Sequence, residues 1–81
     1  MRINTGISIE KAENIISIFD TNTAKIYVGG RIERDIIERI EEGYEIDEIY
    51  NSLKDNYPCT DNAKSHIEEF IQDLIKKEII A

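Results

Sequence analysis

The sequence predicts a domain of the α+β class, with a small antiparallel sheet at the N-terminal end and helices after it. Two observations support this prediction. Residues 7–28 are rich in β-branched and aromatic residues that alternate with polar ones, whereas apolar residues recur at spacings of three and four from residue 31. The chain has 81 residues, so we expect one domain that covers residues 1–81. It contains 18 isoleucines, and nearly all of them must be buried to offset the entropy lost on folding.

The strands are predicted from short runs that turn residues separate. Residues 14–19 and residues 24–28 have strand composition. The residues between them, 20–23, are Asp, Thr, Asn and Thr, which favour a turn because their side chains hydrogen-bond to the local backbone. The pair forms a hairpin that Gly29-Gly30 ends, with a third short strand at residues 7–9. An isolated hairpin is only marginally stable, so it must pack on another element.

Three helices are predicted after the hairpin, at about residues 31–42, 46–56 and 60–77. Gly43 ends the first helix, the second ends near Tyr57-Pro58, and Thr60 is a suitable N-cap for the third. The third helix has a wide apolar stripe, formed by Ala63, Ile67, Phe70, Ile71, Leu74 and Ile75. This order of elements predicts a winged-helix-like architecture.

Composition excludes several kinds of protein. The formal charge is −7, which disfavours nonspecific binding to nucleic acid because phosphates are bound by Lys and Arg. No apolar run is long enough for a signal peptide or a membrane helix, and a reduced, cytoplasmic setting is expected. One cysteine, Cys59, and one histidine, His66, cannot form a structural zinc site, and we expect no metal and no cofactor.

A DNA-binding winged-helix regulator is one alternative function. Its recognition helix would be the third helix, which normally needs Arg, Lys, Asn or Gln to contact bases and phosphates. Residues 60–78 instead hold five carboxylates against three lysines, and residues 31–48 hold eight against three arginines. Catalysis is not expected, because the sequence contains no catalytic triad, metal set or phosphate-binding loop.

The order of landmarks over residues 24–80 resembles the PqqD-like family, the precursor-peptide recognition elements of ribosomal natural-product pathways. A strand at Lys25–Val28 leads into a helix with Ile36, Ile37 and Ile40, and Glu42-Gly43 precedes a helix with Ile46, Ile49, Leu53 and Tyr57. The third helix reads Ala63…Ile67-x-x-Phe70-Ile71-x-x-Leu74, with Ile79-Ile80 at its end.

The resemblance implies a peptide-binding protein without enzymatic activity of its own. Its partner would be the leader segment of a precursor peptide, presented to a modifying enzyme that is often a radical S-adenosylmethionine enzyme. Physically, a strand at the edge of a sheet leaves one row of N–H and C=O groups unpaired, and an extended peptide can add there as a further strand. The third helix lies beside that edge in the family's fold, so strand and helix would form a groove.

The candidate peptide-binding residues follow from this resemblance. Four of them belong to the last strand and lie at its free edge, with Ile26 and Val28 on one face and Lys25 and Tyr27 on the other. On the third helix we expect a line facing the groove, and Phe70 and Leu74 then fit the core better. This line consists of Lys64, Ile67, Ile71 and Ile75. Lys25 and Lys64 would make the groove less acidic than the rest of the protein.

A third hypothesis is an interaction module, such as a homodimer that pairs through the same strand edge. A peptide-binding protein could be a monomer or a homodimer, and the sequence leaves its oligomeric state open.

Overall fold

The computed structural model describes residues 1–54 and 61–81, with residues 61–63 described by their backbone alone. It contains a three-stranded sheet followed by three helices, and so confirms the α+β fold class. The strands are β1 (Ile7–Ala12), β2 (Ile15–Asp20) and β3 (Lys25–Gly30); the helices are α1 (Arg31–Glu41), α2 (Ile46–Leu53) and α3 (Asp61–Lys76). The predicted end of the second helix at residue 56 and the Thr60 N-cap lie outside the described residues.

The sheet is antiparallel, in the order β1-β2-β3. In its central row Ile9 pairs with Ile18, and Ile18 with Tyr27. The turn between β2 and β3 has the chemistry that the sequence predicts, since the buried Asp20 carboxylate accepts the Asn22 N–H at 2.9 Å. The first strand extends to Ala12, because residues 10–12 also pair with β2.

Alternation along the strands gives the sheet two different faces. Ile16 and Ile18 point to the inner face and are buried against α1, whose Ile36, Ile37 and Ile40 are buried in the same core. The opposite side is called the outer face here. It carries residues at alternate positions of each strand: Ser8, Glu10, Ala12, Ile15, Ser17, Phe19, Ile26 and Val28.

The β3–α1 junction explains why Gly29-Gly30 does not end β3 as predicted. Both glycines belong to the strand, and α1 begins directly after them. A Cβ atom at Gly29 would lie 2.6 Å from Glu33 Cβ, so the first turn of α1 can cross the strand only where a side chain is missing. The glycines therefore allow a close approach between strand and helix.

The core is mainly isoleucine. Its buried members are Ile16, Ile18, Ile36, Ile37, Ile40, Ile49, Leu53, Ile67, Ile71, Leu74, Ile79 and Ile80. Ten of the eighteen isoleucines are buried and five are half-buried, so the prediction that nearly all of them are buried is only partly correct. It is wrong for three, since Ile15, Ile26 and Ile75 are 47%, 62% and 40% exposed. Two of these three lie on the outer face of the sheet.

The end of α3 is held by a Schellman motif. The Glu78 N–H donates to the Ile75 carbonyl at 3.0 Å, and the Ile79 N–H to the Leu74 carbonyl at 2.9 Å. Glu78 therefore occupies the position that favours glycine, and its φ is +60°. The chain then pairs with the N-terminal segment through an antiparallel bridge between Ile3 and Ile80.

Over the described ranges 1–54 and 61–81, no helix has the length and apolarity needed to cross a membrane.

Candidate functional site

Strand β3 lies at one edge of the sheet, and among the described strands it pairs only with β2. Its other side therefore offers backbone groups to an additional strand. The Gly30 N–H donates to Glu33 Oε1 at 2.8 Å, which indicates that Gly30 directs its N–H away from β2. Because alternate residues of an antiparallel strand direct their backbone groups to the same side, we infer that Ile26 and Val28 present N–H and C=O at this free edge.

The side chains of β3 alternate as predicted. Lys25 and Tyr27 pair with Asp20 and Ile18, which belong to the inner face, and Tyr27 is half-buried. Ile26 and Val28 point to the outer face and are 62% and 66% exposed.

Two contacts connect the β3 side of the fold with α3. At one end, His66 Nε2 on α3 lies 2.7 Å from Glu33 Oε2, in the first turn of α1. At the other end, Lys77 Nζ, just past α3, lies 4.4 Å from the centroid of the Tyr27 ring. Phe70 lies between His66 and Lys77 on the same side of the helix, since spacings of four and seven residues return to one face. We call the space between these two contacts the groove.

Glu33 forms hydrogen bonds to both sides of the groove. One of its oxygens accepts the N–H of Gly30 at the end of β3, and the other is hydrogen-bonded to His66 on α3. Its side chain is 17% exposed. Glu33 thus links α3 to the end of the edge strand.

The flank of α3 at the groove differs from the predicted line. Ile67 and Ile71 are 3% and 0% exposed and belong to the core, so neither offers a surface to the groove. Lys64 extends toward α2, where its Nζ lies 5.3 Å from the centroid of the Tyr50 ring. Ile75, although exposed, lines a neighbouring depression with Gln72 and Lys76. This depression shares Glu69 and Asp73 with the one at Phe70, but it does not include Phe70.

Phe70 and Leu74 were predicted to be core residues. Leu74 is buried, but Phe70 is only half-buried and lines an open depression with His66, Glu69 and Asp73. The physical reason is helix geometry: successive residues turn by 100°, so one buried stripe has two flanks, and the sequence does not say which flank faces the strand. His66, Phe70 and Lys77 share one flank at i, i+4 and i+11, but Lys64, Ile71 and Ile75 have an equivalent spacing, so the spacing alone could not identify the flank.

The charge of the groove also differs from the prediction. Lys25 lies on β3, but Lys64 is on the other flank of α3. The carboxylates on the groove side are Glu33, Glu69 and Asp73, and Lys77 forms an ion pair with Asp73. Of the two lysines that were expected to make the groove less acidic, Lys64 therefore does not border it, and Lys77, which does, is paired with Asp73.

Within the described residues, no group of three or more His, Cys, Asp or Glu side chains is placed to hold a metal ion. The arrangement offers hydrogen-bonding backbone at an edge, a half-buried aromatic on each side of a groove and exposed aliphatic side chains behind it.

Comparison with solved structures finds a similar fold in TbiB1, solved in complex with the TbiA(beta) leader peptide. The TM-score is 0.86 at 18% sequence identity, and the match covers 98% of this chain and 93% of that one. At this identity the likeness shows the fold. No family model matches the sequence, and no curated protein matches it.

Proposed function

We propose that this protein binds the leader segment of a ribosomally synthesised precursor peptide by β-strand addition and presents it to a modifying enzyme. The observation that carries the proposal is the free edge of β3 beside the groove, in a fold that TbiB1 shares and that has been solved there with a leader peptide. The family resemblance of residues 24–80 supports the same conclusion.

Strand addition depends on the unpaired backbone groups at the edge of β3. The peptide backbone pairs with the N–H and C=O groups of β3, which supplies affinity without regard to sequence. Alternate side chains of the peptide then point into the groove, where Tyr27 and Phe70 are half-buried and provide apolar contact. The depression at Phe70 is open, which suits a side chain better than an enclosed small molecule.

The role in presentation rests on the resemblance. We propose that the modifying enzyme is a radical S-adenosylmethionine enzyme, that both proteins act in the cytoplasm, and that this chain itself has no catalytic activity or cofactor. A test is to compare the rate at which the enzyme encoded beside the gene modifies its precursor with and without this protein. Equal rates would contradict presentation and leave peptide binding intact.

Peptide binding is tested by titrating the ¹⁵N-labelled protein with synthetic leader segments of precursors encoded near the gene. We expect binding at micromolar concentration or tighter, with the largest shifts at residues 25–30 and at His66, Phe70 and Lys77. A leader with the same composition in scrambled order is the matched control. Shifts confined to residues 31–50, or no binding to any neighbouring precursor, would refute the proposal.

A homodimer is the second candidate function, because a free strand edge can equally pair with the same edge of another copy. Sedimentation equilibrium of the peptide-free protein distinguishes the two. A dimer that leader peptide converts to monomer would show that both use β3.

The DNA-binding alternative predicts affinity for duplex DNA that falls steeply with added salt, which the same titration tests with an oligonucleotide.

A further inference from the structure

Exposed apolar side chains on the outer face of the sheet are not explained by the groove. Ile26 and Val28 are 62% and 66% exposed, Ile15 is 47% exposed and Phe19 is 37% exposed. Aliphatic side chains this exposed to water on an edge strand favour unwanted association, so we expect a binding partner to cover them.

Apolar character increases from β1 to β3 in the two rows of the outer face that end at Ile26 and Val28. On β1 the outer face carries Ser8 and Glu10, which pair with Phe19 and Ser17 of β2. These two residues in turn pair with Ile26 and Val28 of β3. In the third row of this face, Ala12, Ile15 and Gly30, the large exposed apolar side chain is on the central strand. The two most exposed apolar side chains, Ile26 and Val28, therefore lie at the free edge, and the far edge of their rows is polar. A partner covering the whole face would meet this polar strand, whereas an added strand at β3 would meet only the apolar end.

We propose, on the basis of the function proposed above, that the leader strand is recognised on both of its faces, with its outward side chains packed on Ile26 and Val28. Side chains of a strand alternate between faces, so residues that point away from the groove lie on the outer face, across from β3. The ligand class is thus narrowed to a segment that carries apolar side chains at two positions spaced two residues apart, on the side opposite those that enter the groove.

The probe is a yeast-displayed library of random 12-residue segments, selected for binding to the full chain. We expect the selected segments to share a pair of apolar residues at spacing two, in addition to any residue that enters the groove. For a synthetic peptide of the selected sequence bound to protein with labelled methyl groups, we expect nuclear Overhauser contacts from the Ile26 and Val28 methyls to that pair.

Substitution separates this inference from the proposed function. The double variant Ile26→Thr/Val28→Thr keeps β-branched side chains and removes apolar contact, so it should bind the selected peptide about three- to thirtyfold more weakly. The matched control, Ile15→Thr, lies on the same face but on the central strand, and its affinity should stay within about twofold of the parent. Circular dichroism melts establish that each variant is folded.

Four results would overturn the inference. Selection of no segment by the parent protein would refute the proposed function together with it. Peptides that lose affinity with Phe70→Ala, but bind the double threonine variant as tightly as the parent, would leave the function standing and remove recognition on the outer face. Selected segments without the two-residue spacing would do the same. A dimer that dissociates in the double variant, with peptide affinity unchanged, would assign the patch to a second copy.

Discussion

Replacing Glu78 with glycine should stabilise the protein, because the backbone at this position is left-handed. Glu78 lies at the residue after the C-cap of α3, with φ of +60°, and the motif around it is closed by the hydrogen bonds from Glu78 and Ile79. A side chain with a Cβ atom costs about 1–2 kcal/mol in this conformation, and glycine does not incur that cost.

The expected gain is smaller than the cost that is removed. Glycine loses more backbone entropy on folding, which takes back about 0.5–1 kcal/mol. The net increase in the free energy of unfolding is then about 0.5–1 kcal/mol. For a domain of this size such a change raises Tm by about 3–6 °C. The Glu78 side chain is exposed, so its loss removes no buried contact.

Thermal unfolding followed by circular dichroism measures the effect, with Glu78→Ala as the control. Alanine removes the same charge but keeps the Cβ atom, so we expect Tm to stay near that of the parent. If Glu78→Ala raises Tm as much as Glu78→Gly does, the gain comes from charge, and the argument from backbone conformation is wrong. An unchanged Tm in Glu78→Gly would also refute it.

Three further predictions concern the edge strand and α3. Gly29→Ala should lower the free energy of unfolding by about 1–3 kcal/mol, because its new methyl group meets the first turn of α1. Gly30→Ala should cost much less, since the nearest atom to its Cβ would be 3.4 Å away, and urea unfolding compares the two variants. Phe70→Ala should weaken leader-peptide binding about tenfold by calorimetry, and equal weakening by Ile75→Ala would contradict the assignment of the groove flank. Ile71→Val should lower stability by about 0.5–1.5 kcal/mol without changing peptide affinity, and Ile75→Val, at an exposed site, should do neither; a loss of affinity in Ile71→Val would return this residue to the binding surface.

Local chemistry determined most of the secondary structure in advance. The change of period at residue 31 and Gly43 after α1 are predicted from short-range preferences, and both agree with the structure. The turn predicted at residues 20–23 lies one residue later, at 21–24, since Asp20 still belongs to β2 and Ala24 has a φ of +59°. The alternation of Ile26 and Val28 against Lys25 and Tyr27 also follows from strand geometry alone. The end of β3 was less predictable, because Gly29 belongs to the strand and lies in close contact with the first turn of α1. The end of β1 depends on the pairing of residues 10–12 with β2, which is a tertiary contact.

Tertiary packing decided which of these side chains meet. The apolar stripe of α3 is visible in the sequence, but its two flanks are chemically similar, and only the position of α3 against α1 and β3 turns Phe70 toward the groove and Lys64 toward α2. The sequence could not decide whether Ile67 and Ile71 belong to the core or to a peptide-binding surface, because isoleucine is suited to both. The sequence by itself determined an isoleucine-rich α+β domain with a strand at residues 25–28. The tertiary structure decided that this strand lies at the edge of the sheet among the described strands, which α3 side chains border it, and that Ile26 and Val28 remain exposed. These features depend on contacts between residues far apart in the chain.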